Sequence, residues 1–150
     1  MKTAICYYSR HHGNTLKLLE AMVEGRDDVE LFDVTSRMAF DPERYNVIAF
    51  ASGIYYGKFH QSVIDFARQY FLAGGKTFFV FTGGSPSAKN TAAIRTAVED
   101  KNAQVLGQFY CKGYDTFGPF KLVGGIAKGR PNAADLQAAK DFFDGLVLGQ

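Results

Sequence analysis

Cys6-Tyr7-Tyr8-Ser9-Arg10-His11-His12-Gly13-Asn14-Thr15 is the stretch on which the reading of this chain turns. An apolar run from Ala4 to Tyr8 ends in a polar, glycine-punctuated turn, and helical spacing begins at once with Leu16, Leu19 and Val23. A strand that turns directly into a helix presents the helix's first N–H groups and its positive dipole end at the turn. The stretch therefore reads as a cradle for a phosphate. Gly13 lets the backbone approach an anion closely, while Ser9, Asn14 and Thr15 supply side-chain hydrogen bonds.

Three other phosphate-binding patterns fail on the same residues. A dinucleotide fingerprint needs G-x-G-x-x-G at this turn, where only Gly13 is a glycine. A Walker loop would end on Gly75-Lys76-Thr77, but Tyr70 stands where its first glycine belongs and the triplet precedes a strand pattern. A C-x5-R phosphatase loop starting at Cys6 reaches His12, so the arginine fork that grips phosphate is missing.

Outward from this turn, strand-like runs alternate with helical spacing. The strands are expected at Thr3 to Ser9, Val29 to Val34, Asn46 to Ser52, Thr77 to Thr82 and Gln104 to Tyr110. They lack strict polar alternation, as parallel strands covered on both faces do. Helical periodicity appears in Phe59, Val63, Phe66 and Tyr70, in Ile94, Ala97 and Val98, and in Leu136, Ala139, Phe143 and Leu146. The segment from Thr35 to Tyr45 is too short and proline-interrupted for a long helix, and Pro131-Asn132 reads as a helix start. The repeating βαβ pattern implies an α/β fold with an open parallel sheet, expected as a single domain over residues 1–150.

Composition narrows the function. At 150 residues and 47% hydrophobic, the chain can bury about 70% of its unfolded surface in one core. Its apolar runs fall far short of the about 20 residues a membrane span needs, and Lys2 leads into a strand pattern without a signal-like region. Cys6 and Cys111 sit in no metal or redox spacing and read as buried thiols of a reducing compartment, the cytoplasm. A net charge of +2 gives no ground for nucleic acid binding.

In an open parallel sheet, ligands collect at the carboxyl ends of the strands. The loops expected there are Ser9 to Thr15, Ser52-Gly53-Ile54-Tyr55-Tyr56-Gly57-Lys58-Phe59 and Thr82-Gly83-Gly84-Ser85-Pro86-Ser87. One is anion-ready, one sets two tyrosines between glycines, and one is glycine-rich. Together they suit a flat aromatic ligand carrying a phosphate.

On these residues the whole chain resembles the flavodoxin family, whose phosphate loop, [ST]-x-[ST]-G-x-T, is matched at its end by Gly13-Asn14-Thr15. The resemblance implies a three-layer sandwich, with a five-stranded parallel sheet of order 2-1-3-4-5 and helices on both faces. It implies flavin mononucleotide (FMN) as cofactor and electron transfer between redox protein partners, in a monomer or weak dimer. Carried over by position, Ser9, Arg10, His11, His12, Gly13, Asn14 and Thr15 would hold the phosphate. Ser52, Gly53, Ile54, Tyr55, Tyr56 and Gly57 would line the isoalloxazine, with Thr82, Gly83, Gly84, Ser85 and Pro86 along its other side. No tryptophan is present, so Tyr55 or Tyr56 takes the stacking role. A peptide at Gly53 or Gly57 would turn a carbonyl toward flavin N5 and so separate the two one-electron steps.

The chain departs from the family pattern in three places. Arg10, His11 and His12 replace hydroxyl residues before the glycine. The sequence pI is about 8.5, whereas electron-transfer flavodoxins are acidic around the flavin edge, so partner identity does not carry over. The long segment from Lys112 to Pro131 reads first as a self-packed loop, with Tyr114, Phe117 and Phe120 capping the flavin or docking a partner as the alternatives.

Two alternatives stand beside the carrier. The stretch Ile54 to His60 is also similar to the corresponding loop of menaquinone-dependent protoporphyrinogen oxidases, which makes an FMN-dependent oxidoreductase, such as a quinone reductase, the second reading. A receiver-like signalling module would need acidic residues where Ser9-Arg10 and Ser52 stand, and it carries little weight. His60 reads as a surface residue at a helix start, and Ser85 and Ser87 lack the partners of a hydrolase nucleophile.

Overall fold

The computed structural model describes residues 2–10, 12–115 and 125–149. In chain order the elements are β1 (Thr3–Tyr8), α1 (Asn14–Met22), β2 (Val29–Asp33), β3 (Val47–Tyr55), β4 (Lys58–Phe59), α2 (Gln61–Tyr70), β5 (Lys76–Gly83), α3 (Ala92–Glu99), β6 (Gln104–Lys112) and α4 (Ala133–Leu148). Short 3-10 turns lie at Pro42–Arg44 and Ala88–Thr91. The main sheet runs β2-β1-β3-β5-β6, and every pairing along it is parallel. This is the expected five-strand order, with β4 added as a short antiparallel partner of β3.

That addition corrects the reading of residues 52–59 as a loop. β3 continues through Gly53 and Ile54 to Tyr55, and the chain reverses over Tyr56 and Gly57, whose φ angles are 52° and 81°. Two left-handed residues at the tip are what a tight two-residue hairpin needs for its twist to match the strands. Phe59, expected on the helix with Val63, instead closes this hairpin on β4, and α2 begins at Gln61. Its ring is still fully buried in the same cluster as Val63 and Phe66. Helical spacing therefore identified the buried face correctly but set the helix start two residues early.

The sheet is covered on both sides, which explains the missing polar alternation. Ala4, Cys6, Phe50, Phe79 and Phe81 face α2 and α3 in one cluster, while Ile5, Ala49, Phe78 and Val80 face α1 and α4 in the other. Each large side chain so buried stabilises the fold by about 1.5–3 kcal/mol relative to exposure. Both cysteines are free and buried, and burial raises the thiol pKa of each, that of Cys111 to about 12. Neither is a poised thiolate.

Helix ends are tied down individually. Asn132 caps α4 by accepting from the Asp135 N–H at 3.0 Å, and the Asp135 carboxylate accepts from the Asn132 N–H at 2.8 Å. Arg130 donates two hydrogen bonds, of 2.6 and 2.7 Å, to the same carboxylate and holds its pKa below the usual range. At the far end of α2, the Lys101 ammonium donates to the Phe71 carbonyl at 2.8 Å, beyond the reach of the helix's own N–H groups, and shares the Ala67 carbonyl, at 3.2 Å, with the Phe71 N–H.

Candidate functional site

The β1–α1 turn is built so that α1 starts with little side-chain competition for its N–H groups. Gly13 is the N-cap, in the left-handed conformation at φ 66°, and the first turn holds no acidic residue. The buried Ser9 hydroxyl accepts from the Leu16 N–H at 3.1 Å and shapes the turn. The Thr15 hydroxyl, also buried, bonds the Thr82 hydroxyl at 2.9 Å and fixes α1 to the end of β5. Arg10 reaches sideways, donating to Asp33 at 2.9 Å and Thr35 at 2.6 Å, with its guanidinium 5.2 Å from the Tyr8 ring centre. Burial alone would raise the Asp33 carboxyl, but hydrogen bonds from Thr35 and Arg10 outweigh it and hold its pKa low. A cation is thereby stationed beside the turn.

The hairpin supplies an aromatic wall. Tyr55 folds back over Gly53, where an added Cβ would lie 3.4 Å from its ring. Tyr8, Tyr55 and His60 form one cluster: His60 stacks on Tyr8 at 3.8 Å and 10°, and Tyr55 meets His60 edge-on at 5.1 Å and 81°. His60 is thus half-buried, contrary to its reading as a surface residue. Its Nδ1 accepts from the Ser62 N–H at 3.1 Å and caps α2, which leaves the proton of the neutral ring on Nε2. Burial pushes its pKa below the ordinary value. The Ser52 hydroxyl accepts from the His60 N–H at 3.0 Å and donates to the Gly53 carbonyl. Asn90 braces the tip, donating to the Gly57 carbonyl at 2.9 Å while its own Oδ1 accepts from the Ser87 N–H at 2.8 Å.

A third wall comes from the segment after β6, expected from the sequence to pack on itself, cap the ligand or dock a partner; its Phe117 and Phe120 lie outside the described residues. Gly113 donates to the Gly83 carbonyl at 2.9 Å, and Asn14 donates through Nδ2 to the Tyr114 carbonyl at 2.8 Å. Asp115 and Ile126 exchange backbone hydrogen bonds of 2.9 and 2.8 Å, and the Asp115 carboxylate accepts from the Gly84 N–H at 3.3 Å. A Cβ on Gly84 would stand 2.5 Å from Ile126, so only glycine admits this packing. Tyr114 stacks on His12 at 4.5 Å and 28°.

These walls enclose one cleft at the carboxyl ends of the strands. Of the residues expected there, Ser9, Arg10, Asn14 and Thr15 line it from the first turn, Gly53, Ile54 and Tyr55 from β3, and Thr82 and Gly83 from β5. Gly113, Tyr114 and Asp115 line it as well. Gly13 and Ser52 shape the cleft from behind through the cap and the hydroxyl bridge, and Gly84 packs against Ile126. Tyr56 stands 89% exposed at the hairpin tip beside Gly57, and His12 is engaged with Tyr114. Ser85 and Pro86 lie outside the lining, and His11 lies outside the described residues. The enclosed part of the cleft is narrow, about 20 Å³. It shares Tyr55 with a wider groove of about 410 Å³, formed with Tyr8, Tyr56, Lys58, Phe59, His60 and Gln61. Among the described residues, no group of three or more His, Cys, Asp or Glu is placed to hold a metal ion, and no helix is long and apolar enough to cross a membrane.

A doubly wound parallel sheet with an anion-ready helix start and aromatic walls at its carboxyl end defines a class of phosphate-bearing ligand binders. Residues 4–117 match the family profile described as flavodoxin domain, and the chain belongs to the flavodoxin family. An uncharacterised protein of Methanocaldococcus jannaschii is 36% identical over 149 residues, covering 98% of this chain and 99% of its own. Among solved structures, a flavodoxin from the domain Archaea superposes with a TM-score of 0.71 at 18% identity, over 99% of this chain and 98% of its own. General stress protein 14 of Treponema denticola, solved in complex with FMN, does so with a TM-score of 0.67 at 13% identity, over 97% and 99% of the two chains. The fold is flavodoxin-like.

Proposed function

We propose that this chain, acting as one domain over residues 1–150, binds FMN in the cleft and carries electrons one at a time between redox proteins in the cytoplasm. The observation that carries this reading is the convergence of an acid-free helix start and a flanking aromatic wall in one cleft at the carboxyl ends of β1, β3 and β5. The donor set fits a phosphate monoester: the α1 first-turn N–H groups of Asn14 and Thr15, that of Leu16 being held by Ser9, with the Asn14 amide, the Thr15 hydroxyl and the neighbouring Arg10 cation. Tyr55 and Tyr114 line the cleft where a ring system would lie, and the groove beyond Tyr55 gives it room. Bound FMN supplies the electron-accepting chemistry. The protein's share is to hold the phosphate, flank the ring and fix the polar groups near it. Ser52 and Asn90 do the last by restraining the Gly53 and Gly57 carbonyls.

The second reading, an FMN-dependent oxidoreductase acting on a quinone or a porphyrinogen, draws on the groove of about 410 Å³ beside Tyr55, which is large enough for a small aromatic molecule. Stepwise reduction of the FMN-loaded chain under visible absorption separates the two. The carrier reading expects stoichiometric FMN and two resolved one-electron steps. A single two-electron step favours the oxidoreductase and directs the search to small-molecule turnover. Failure to bind FMN removes both readings.

A further inference from the structure

The carboxyl end of the sheet, where the cleft opens, carries exposed lysines from four separate segments. Lys58 lies on β4, Lys89 in the 3-10 turn after β5, Lys112 at the end of β6 and Lys128 in the turn before α4. None of the four is in an ion pair with a described residue. Acids at the same end are already engaged: Asp33 with Arg10, Asp135 with Arg130, and Asp115 buried against the Gly84 amide. The opposite end carries exposed acids, Glu24 and Asp27 after α1 and Glu99 and Asp100 at the end of α3. Cations stand at that end too, Lys2 and Arg44 paired with Glu30 and Arg68 at the end of α2, so what sets the cleft end apart is its four exposed lysines outside any described ion pair, in a chain whose net charge is only +2. Tyr56, 89% exposed at the hairpin tip, stands at the lysine-bearing end, and tyrosine is a residue type favoured as an interface anchor.

We propose that this lysine rim is a docking surface for an acidic redox protein. The proposal rests on the electron-carrier reading and deepens it by naming the partner's chemistry. Complementary charge around the cleft orients the partner's redox centre toward the cofactor and speeds encounter. With a reduced iron–sulfur protein as partner, one electron leaves the cluster and enters bound FMN. The cluster is oxidised by one unit and the FMN reduced by one, with no covalent bond made or broken between the proteins. Exposed charges are screened beyond about 8 Å at physiological salt, so docking through this rim is strongly salt-dependent.

The test is calorimetric titration of the full chain with an oxidised, acidic plant-type [2Fe–2S] ferredoxin at low and high salt, which needs no electron flow. Binding is expected at low salt and weakened by roughly tenfold or more at high salt. The variant K58E/K89E/K112E/K128E is expected to lose roughly tenfold at low salt with its thermal midpoint kept, and to gain binding to basic cytochrome c. Should that variant misfold, the salt response of the unmodified chain and the pair K89E/K128E carry the test. Absent low-salt binding, binding indifferent to salt and to these charges, or tighter binding to a mixed-sequence RNA duplex would each overturn the proposal. Failure of the electron-carrier reading shows separately, as an FMN-loaded chain that takes up no electrons from the same ferredoxin when it is reduced.

Discussion

Single residues decide what the cleft presents to a ligand, and adjacent ones differ sharply. Tyr55 folds inward over Gly53, whereas Tyr56, one position on, stands at the exposed hairpin tip. Tyr55→Ala is therefore expected to weaken FMN binding about tenfold, the size of a lost aromatic contact, and Tyr56→Ala by less than about twofold. Quenching of flavin fluorescence during titration reads both, and equal effects would contradict this geometry. Asn90 acts at one remove through the Gly57 carbonyl. Its replacement by alanine is expected to raise amide exchange at the hairpin tip in the flavin-free chain and to shift the FMN midpoint potential in the loaded one. A purely structural role would lower the thermal midpoint without moving the potential. His60 carries a pH signature. Its folded pKa lies below the ordinary value because of burial, so between that lower value and about 6.5 the unfolded chain binds a proton that the folded chain does not. Stability should therefore fall as pH is lowered through this window. His60→Asn retains a capping side chain and removes the titration, so thermal midpoints at pH 7 and pH 5 should lie closer together in that variant than in the parent.

Elements are held in register by their ends as much as by their faces. The β1–α1 turn, the β3–β4 hairpin and the start of α4 each hang on one or two side chains, and two of these serve the cleft directly. At α4, the Asp135 carboxylate serves both the helix cap and the Arg130 guanidinium, and the Arg130 carbonyl in turn accepts from the Tyr114 N–H at 2.9 Å. Asp135→Ala is expected to cost about 1 kcal/mol in denaturant unfolding, the usual weight of a lost cap. It should also loosen Tyr114 from the cleft. Because Arg130 holds the Asp135 pKa low, its stabilising contribution is present above the ordinary carboxylate value near 4 and is lost as pH falls through the lower folded value. The acid limb of a stability profile should accordingly be flatter in the variant.

At the scale of the whole molecule, the sheet brings together segments as distant as Ser9 and Asp115. A ligand that bridges them stabilises the entire fold. FMN at about a hundred times its dissociation constant is expected to add about 2.7 kcal/mol, or roughly 5–10 °C in the melting midpoint of a chain this size. Parallel melts with and without FMN check this, and an unchanged midpoint would count against the cleft as its site.

The strand order came with the family resemblance, but the sequence by itself determined the alternation of strands with helices, the cover on both faces of the sheet and the glycine turn expected to hold a phosphate. Those follow from local signals: apolar runs without alternation, helical spacing between them, and a glycine-punctuated turn whose chemistry lies within ten residues. The resemblance named Tyr55 or Tyr56 as the expected flavin-stacking residue. Which of the two faces inward needed the tertiary structure, because two consecutive left-handed residues at 56 and 57 form a hairpin whose direction no propensity specifies. The role of Tyr114, the brace from Asn90 to Gly57 and the stack of His60 on Tyr8 were likewise decided only by the fold. Each joins residues dozens of positions apart, whose contact depends on parallel pairing and helix packing rather than on any pattern in their own neighbourhood. The lysine rim at the cleft end has the same origin, since four separated positions come together there only when the carboxyl ends of the strands are aligned.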